Sequence, residues 1–123
     1  MHIDWRAGYD CSGYGISRIA RKLPGVYLLC LRKGNNNWEV FYVGNTTDLL
    51  ENIQNHFSES ESNNLIKERI EKNQCAYFFS FIFNDEDRNS IEKFLFDRFS
   101  PDANDSDPGG NRTVVNLPEV QFS

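Results

Sequence analysis

Three short pieces of this chain carry residues that could do chemistry: Gly25-Val26-Tyr27, Tyr42-Val43-Gly44, and Glu92 followed by Pro101 and Asn104. The second runs directly into residues 45–57, "NTTDLLENIQNHF", which reads as a helix opening after a strand and a glycine break. Such a helix start presents free N–H groups and the positive end of the helix dipole, a setting that suits phosphate. A phosphate also calls for a cation. Yet no Lys or Arg occurs from Gly34 to Ile66, whereas Glu39, Asp48, Glu51, Glu59 and Glu61 all fall there.

Singly, each piece has a plainer explanation. A glutamate on a helix is usually a solvated charge, and tyrosines on neighbouring strands usually edge the core. His56 suits a helix C-terminus as a cation as well as it suits a site. Asp85, Glu86 and Asp87 read as the acidic first turn of a helix rather than as a metal cluster. The specificity lies in the combination, and so in the elements that must bring the pieces together.

Those elements are legible in the apolar pattern. "VYLLCLR" (26–32) and "WEVFYV" (38–43), joined by the turn "KGNNN", predict an antiparallel hairpin. Thr46, Thr47 and Asp48 are candidate N-caps for a helix over about 48–57, with Leu49, Ile53 and Phe57 on one face. "SESESNN" (58–64) reads as a mobile polar linker, and "LIKERIEKN" (65–73) as a second helix. "CAYFFSFIF" (75–83) is too apolar for a surface strand and belongs in mid-sheet. Residues 84–99 read as a capped helix with Ile91, Phe94 and Leu95 as its buried stripe, ended by Pro101. A short basic helix is expected at "ISRIARKL" (16–23) and a short closing strand over 112–117. The fold class is α+β: a small, mainly antiparallel sheet flanked by helices, in the order β-β-α-α-β-α. The expected organisation is an N-terminal extension (1–23), one domain (24–104) and a C-terminal tail (105–123).

The bulk properties fit one domain of 123 residues with a formal net charge of −5. An acidic chain argues against a general nucleic-acid binder, though not against a local basic site. Three scattered cysteines make neither a disulfide framework nor a zinc pattern, and point to a reducing cytoplasm. No apolar run is long enough to span a bilayer, and the N-terminus does not read as a signal peptide.

With these pieces in this order, the chain resembles the GIY-YIG nuclease domain, most closely its small stand-alone members, over Pro24 to about Asn104. The resemblance implies a domain that hydrolyses phosphodiesters in DNA with one divalent cation, Mg²⁺ or Mn²⁺. By the same resemblance Glu92 would hold the cation, Tyr42 would relay the proton of the attacking water and Tyr27 would orient that water or the phosphate. His56 matches a histidine many members carry at the end of the first helix, and Asn104 matches the asparagine that closes the site. Catalytic candidates are therefore Tyr27, Tyr42, His56, Glu92 and Asn104, with Asn45, Thr46, Asn52 and Arg88 as candidates for contacting substrate.

The departure from the family pattern is also specific. Asn52 stands where the family carries a helix arginine, and Asn45 where it usually carries lysine. An asparagine donates hydrogen bonds to phosphate but brings no charge. Loss of one preorganised donor costs on the order of 10²–10³ in rate, and loss of a charged arginine roughly 10³–10⁵. Arg88, one turn before Glu92, could substitute; Arg98 points about 120° away. The run Arg18, Arg21, Lys22 could fold over the site. Two readings follow: a metal-dependent nuclease with an altered, impaired site, or a pseudoenzyme that uses the nuclease fold to bind a partner protein or regulate one. DNA is the partner the resemblance implies, and the acidic surface argues against it; no membrane is implied.

Overall fold

The computed structural model describes residues 1–123. The apolar run at the first motif forms β2 (Gly25–Lys33) and pairs antiparallel with β3 (Asn37–Thr46) and β4 (Cys75–Phe81). Central in the sheet and covered by helices on both faces, β2 is buried from Gly25 to Leu31, which is why it reads as continuously apolar. β1 (Arg6–Gly8) adds antiparallel to β4 and β5 (Gln121–Phe122) adds parallel to β3, giving the order β1-β4-β2-β3-β5.

Alternation along the strands divides the core in two. Tyr27, Leu29 and Leu31 face one side with Tyr77 and Phe79. They are covered by Ile16 of α1 (Gly13–Ile19), Leu49 and Ile53 of α2 (Leu49–His56) and Ile66 of α3 (Asn64–Lys72). Val26, Leu28 and Cys30 face the other side with Ala76 and Phe78, under Ile91 and Leu95 of α4 (Asp85–Phe99). The hairpin carries a β-bulge. Leu29 lies opposite Tyr42 but Cys30 lies opposite Val40, so Phe41 is the extra residue. Val40 and Val43 then both join the α4 side, while Phe41 and Tyr42 both pack toward α2. Tyr42, opposite Leu29, shares the face that carries Tyr27, and the bulge adds Phe41 to that face.

The expected order β-β-α-α-β-α is found as β2-β3-α2-α3-β4-α4. Three local expectations are corrected. The basic helix is Gly13–Ile19 rather than 16–23, capped by Ser12, whose hydroxyl accepts from Gly15 N. Arg21 and Leu23 leave the helix because their carbonyls take the first N–H groups of α2, Leu50 N and Leu49 N, at 3.1 and 3.0 Å. Residues 112–117 form no strand. Val115 is buried there, and the Asn116 amide brackets both N and O of Ile3. The closing strand comes later, at Gln121–Phe122. Finally, the 58–64 stretch is not an unattached polar linker: Glu61 is only 9% exposed and Asn63 caps α3.

Candidate active site

The first two motifs meet through a glycine. Tyr27 is paired across the hairpin with Gly44, and its ring lies over that residue. A Cβ at Gly44 would sit 2.0 Å from the Tyr27 ring, so no side chain fits there. Tyr42 lies alongside, with ring centroids 6.0 Å apart. Burial pushes the Tyr27 phenol well above its ordinary value, and Tyr42 beside it adds to the effect. Burial also raises Tyr42, against a lowering by Tyr27, while the carboxylates of Glu61, Glu92 and Asp105 push it further up. Both phenols are therefore neutral hydroxyls at neutral pH.

His56, in the last turn of α2, closes over both rings; its centroid is 5.5 Å from Tyr27 and 4.8 Å from Tyr42. Its Nε2 is 2.7 Å from Tyr27 Oη, and its Nδ1 is 2.5 Å from Glu61 Oε2. The side chains of His56 and Glu61 are 12% and 9% exposed. Burial lowers the imidazole's affinity for a proton, opposed by the Glu61 carboxylate. His56 is thus drawn into the site rather than left as an exposed helix-end cation.

Glu92 comes from α4, on the far side of β3. Its Oε1 accepts from Asn45 Nδ2 at 3.1 Å, and its Oε2 has no protein partner. Burial raises the Glu92 carboxyl, and the Asn45 hydrogen bond partly offsets this. Asn45 Nδ2 also donates to Asn89 Oδ1 at 2.8 Å. The direction of that amide is set from behind, because Arg88 Nε donates to Asn45 Oδ1 at 2.9 Å. Arg88 is 5% exposed. Its remaining donors go to the carbonyls of Ile82 and Phe83 and to Asp85 Oδ1. Arg88 reaches the neighbourhood of Glu92, but as a buried bracket rather than a free cation.

Asn52 also turns inward. Its Nδ2 donates to Thr46 Oγ1 at 2.6 Å and to Asp48 O at 3.1 Å. Thr46 Oγ1 accepts from Asp48 N as well, and Asp48 caps Glu51 N. With Leu49 N and Leu50 N already taken, the first turn of α2 offers no free N–H to a phosphate, contrary to what its setting after Gly44 suggests. In the run Arg18–Lys22, Arg18 lies over the Tyr14 ring, and Arg21 bonds the carbonyls of Arg18 and Ala20. Asn104 brackets β3, accepting from Val43 N at 2.9 Å and donating to Val43 O at 2.8 Å. It locks the backbone between Tyr42 and Gly44.

Tyr27, Tyr42 and His56 thus form one cluster, and Asn45, Arg88 and Glu92 a second beside it. Asn104 supports the first; Thr46 and Asn52 form a separate knot at the start of α2. Sequence reasoning missed Glu61. In an alternating Ser–Glu tract nothing distinguishes it from Glu59, and only its burial against His56 does.

The donors here suit a divalent cation only in part. No group of three or more His, Cys, Asp or Glu side chains is placed to hold a metal. A hard cation such as Mg²⁺ keeps several waters and needs only one or two carboxylates. Glu92, half-buried with one oxygen unpartnered, fits that role, whereas an all-protein cage does not.

The hairpin that carries the paired tyrosines and the long helix that carries Glu92 belong to one small α+β domain. The model of the GIY-YIG catalytic domain matches residues 23–105, and the chain belongs to that family. Among solved structures it is similar to the GIY-YIG N-terminal endonuclease domain of UvrC from Thermotoga maritima bound to its catalytic divalent cation, magnesium: 17% identity, 72% of this chain and 94% of that chain, TM-score 0.52. A point mutant of that domain, also bound to its catalytic divalent cation, is similar at 17% identity over 74% of this chain and 96% of that one, TM-score 0.53. At such identity the likeness shows the fold. No curated protein sequence matches the chain. No helix is long and apolar enough to cross a membrane.

Proposed function

We propose that this protein hydrolyses phosphodiester bonds in DNA with the help of one divalent cation, at a rate well below what a site with the helix arginine would reach. The observation that carries this reading is the Tyr27 hydroxyl, bonded at 2.7 Å to a buried imidazole that is itself backed by a carboxylate, with Tyr42 and Glu92 beside it. A plain core-edge tyrosine has no use for such a chain. The hydrogen bonding favours Tyr27 for the proton relay that family resemblance assigns to Tyr42, because only Tyr27 has an imidazole acceptor. Tyr42 then orients the water or the phosphate. Glu92 would hold the cation through Oε2, and that ion, Mg²⁺ or Mn²⁺, would supply counter-charge to the phosphate. The three free thiols suit a reducing cytoplasm.

One observation favours a second reading, a nuclease-fold protein that binds or regulates a partner protein. Every donor expected to meet phosphate is engaged inward: Asn52 by Thr46, Arg88 by Asn45 and two carbonyls, and the first N–H groups of α2 by Arg21 and Leu23.

A nicking assay on supercoiled plasmid with Mg²⁺ or Mn²⁺, comparing wild type, Glu92→Ala and Asn52→Arg, separates the two. Glu92-dependent cleavage by the wild type supports the hydrolase. Cleavage by Asn52→Arg alone describes a scaffold disarmed at one position. Silence from all three favours the partner-binding reading.

A further inference from the structure

The proposed reaction uses Tyr27 and His56, but nothing in it explains why a glutamate from an acidic loop is buried against the imidazole. Glu61 is held on both sides. Its Oε2 faces His56 Nδ1 at 2.5 Å, and its Oε1 accepts from Asn63 N at 2.8 Å. Asn63 is fixed in turn: its Oδ1 accepts from Leu65 N and Ile66 N, and its Nδ2 donates to Ala103 O at 2.9 Å. The loop is therefore tied to α3 and to the segment that carries Asn104. Satisfying Asn63 N alone would not require sending the second oxygen into the site.

An ionised carboxylate only accepts hydrogen bonds, so the proton between Glu61 and His56 sits on Nδ1. In a neutral imidazole Nε2 is then the acceptor, and the Tyr27 hydroxyl must donate to it. The Tyr27 oxygen then keeps a lone pair that can take a proton, beside the Tyr42 hydroxyl with which it is also hydrogen-bonded. We propose that Glu61 is a positioning residue for the reaction: it fixes His56 as the Nδ1–H tautomer and so makes Tyr27 a proton relay. The inference rests on the hydrolase reading for its purpose, though not for its chemistry.

The attacking water forms the new P–O bond and gives its proton to Tyr27 Oη, while the Tyr27 proton passes to His56 Nε2. The bond from phosphorus to the leaving ester oxygen breaks, and that oxygen takes a proton from solvent. The imidazolium so formed faces the Glu61 carboxylate, as a buried cation requires. The titratable groups around His56 are Tyr27 from β2, Tyr42 from β3 and Glu61 from the loop. Glu92 of α4 acts on both phenols, and Glu59, Lys67 and Glu71 line the groove outside His56.

The chain has two histidines, so His2→Gln leaves His56 as the sole imidazole in the full-length protein. Its ¹⁵N chemical shifts, followed against pH, report tautomer and proton affinity without any activity. The expected result is an Nδ1–H tautomer. Adding Glu61→Gln should lower the His56 pKa by about one unit and populate the Nε2–H form, because the glutamine can donate to Nδ1. An unchanged pKa and tautomer in Glu61→Gln overturns the proposal. If that variant does not fold, Tyr27→Phe decides: the tautomer persists if Glu61 sets it and redistributes if Tyr27 does. Where the wild type nicks plasmid, Glu61→Gln should also lower kcat by roughly tenfold or more and move the acid limb of its pH profile downward. A wild type that never nicks sinks the hydrolase reading, and the His56 spectrum still decides whether Glu61 sets the tautomer.

Discussion

Arg88 Nε donates to Asn45 Oδ1 at 2.9 Å, so the guanidinium nearest Glu92 meets the site through an amide instead of directly. The amide must then turn its Nδ2 toward Glu92 Oε1, which leaves Oε2 as the open oxygen. Arg88 also serves the carbonyls of Ile82 and Phe83, where the chain passes from β4 to α4. Arg88→Met should strand three acceptors while leaving Asp85, whose side chain is largely exposed, in water. The expected loss is about 3 kcal/mol of stability, read from urea unfolding at constant m-value. Unchanged stability would mean that Arg88 is a surface charge.

Gly44→Ala should be far more costly than an ordinary glycine-to-alanine change in a strand. The new methyl meets the hydroxyl end of the buried Tyr27 ring, so the ring has to leave its place. The expected cost is about 2 kcal/mol or more, together with loss of the Tyr27–His56 hydrogen bond. Urea unfolding gives the first, and the near-ultraviolet dichroism of the tyrosines the second.

Asn52→Arg tests whether charge alone is missing. The asparagine's bonds to Thr46 and Asp48 are lost, at a cost of about 1 kcal/mol. The Thr46 hydroxyl keeps its bonds to Asp48, so α2 should still start at Leu49. If the reaction is as proposed, the nicking rate should rise by on the order of 10²-fold. A rate that stays flat would place the deficit elsewhere, in the inward-facing N–H groups of α2.

His56 predicts a pH dependence of stability. Its proton affinity in the folded protein is lowered by burial, against the pull of Glu61, so the unfolded chain binds the proton more readily. Stability should therefore fall as pH drops below about 6.5, the ordinary histidine value, and this contribution should level off below the folded-state pKa. Comparing the melting temperatures of wild type and His56→Gln from pH 8 to 5 isolates it. The difference between the two should shrink or reverse toward acid pH; a constant offset would rule out a buried neutral imidazole.

Glu92→Gln keeps the hydrogen bond from Asn45 but removes the charge. Mg²⁺ binding, followed by calorimetry, should be lost with little change in stability, since burial already disfavours the ionised carboxyl. Retained binding would exclude Glu92 as the cation's holder.

How much of this could be read from the chain depends on the range of the interaction. The strand β2, the hairpin, the helix after Gly44 and the long helix carrying Glu92 follow from local apolar periodicity and caps, which neighbouring residues set. Tyr27, Tyr42, His56 and Asn104 could be named because they stand at positions that match the motifs of the GIY-YIG family. The direction of a side-chain amide and the burial of a charge are not local. Asn45 points at Glu92 because Arg88, 43 residues later, holds its oxygen. Asn52 turns inward to Thr46 Oγ1 and Asp48 O, while the carbonyls of Arg21 and Leu23, from the segment before β2, take the first donors of α2. Glu61 left no trace in its Ser–Glu tract, because what distinguishes it is a histidine from α2 and a tyrosine from mid-sheet. By itself, the sequence determined the elements and the order in which they carry the tyrosines and the glutamate. Only the tertiary structure decided which donors remain free there, because hydrogen-bond partners are allotted among segments that meet only once the chain has folded.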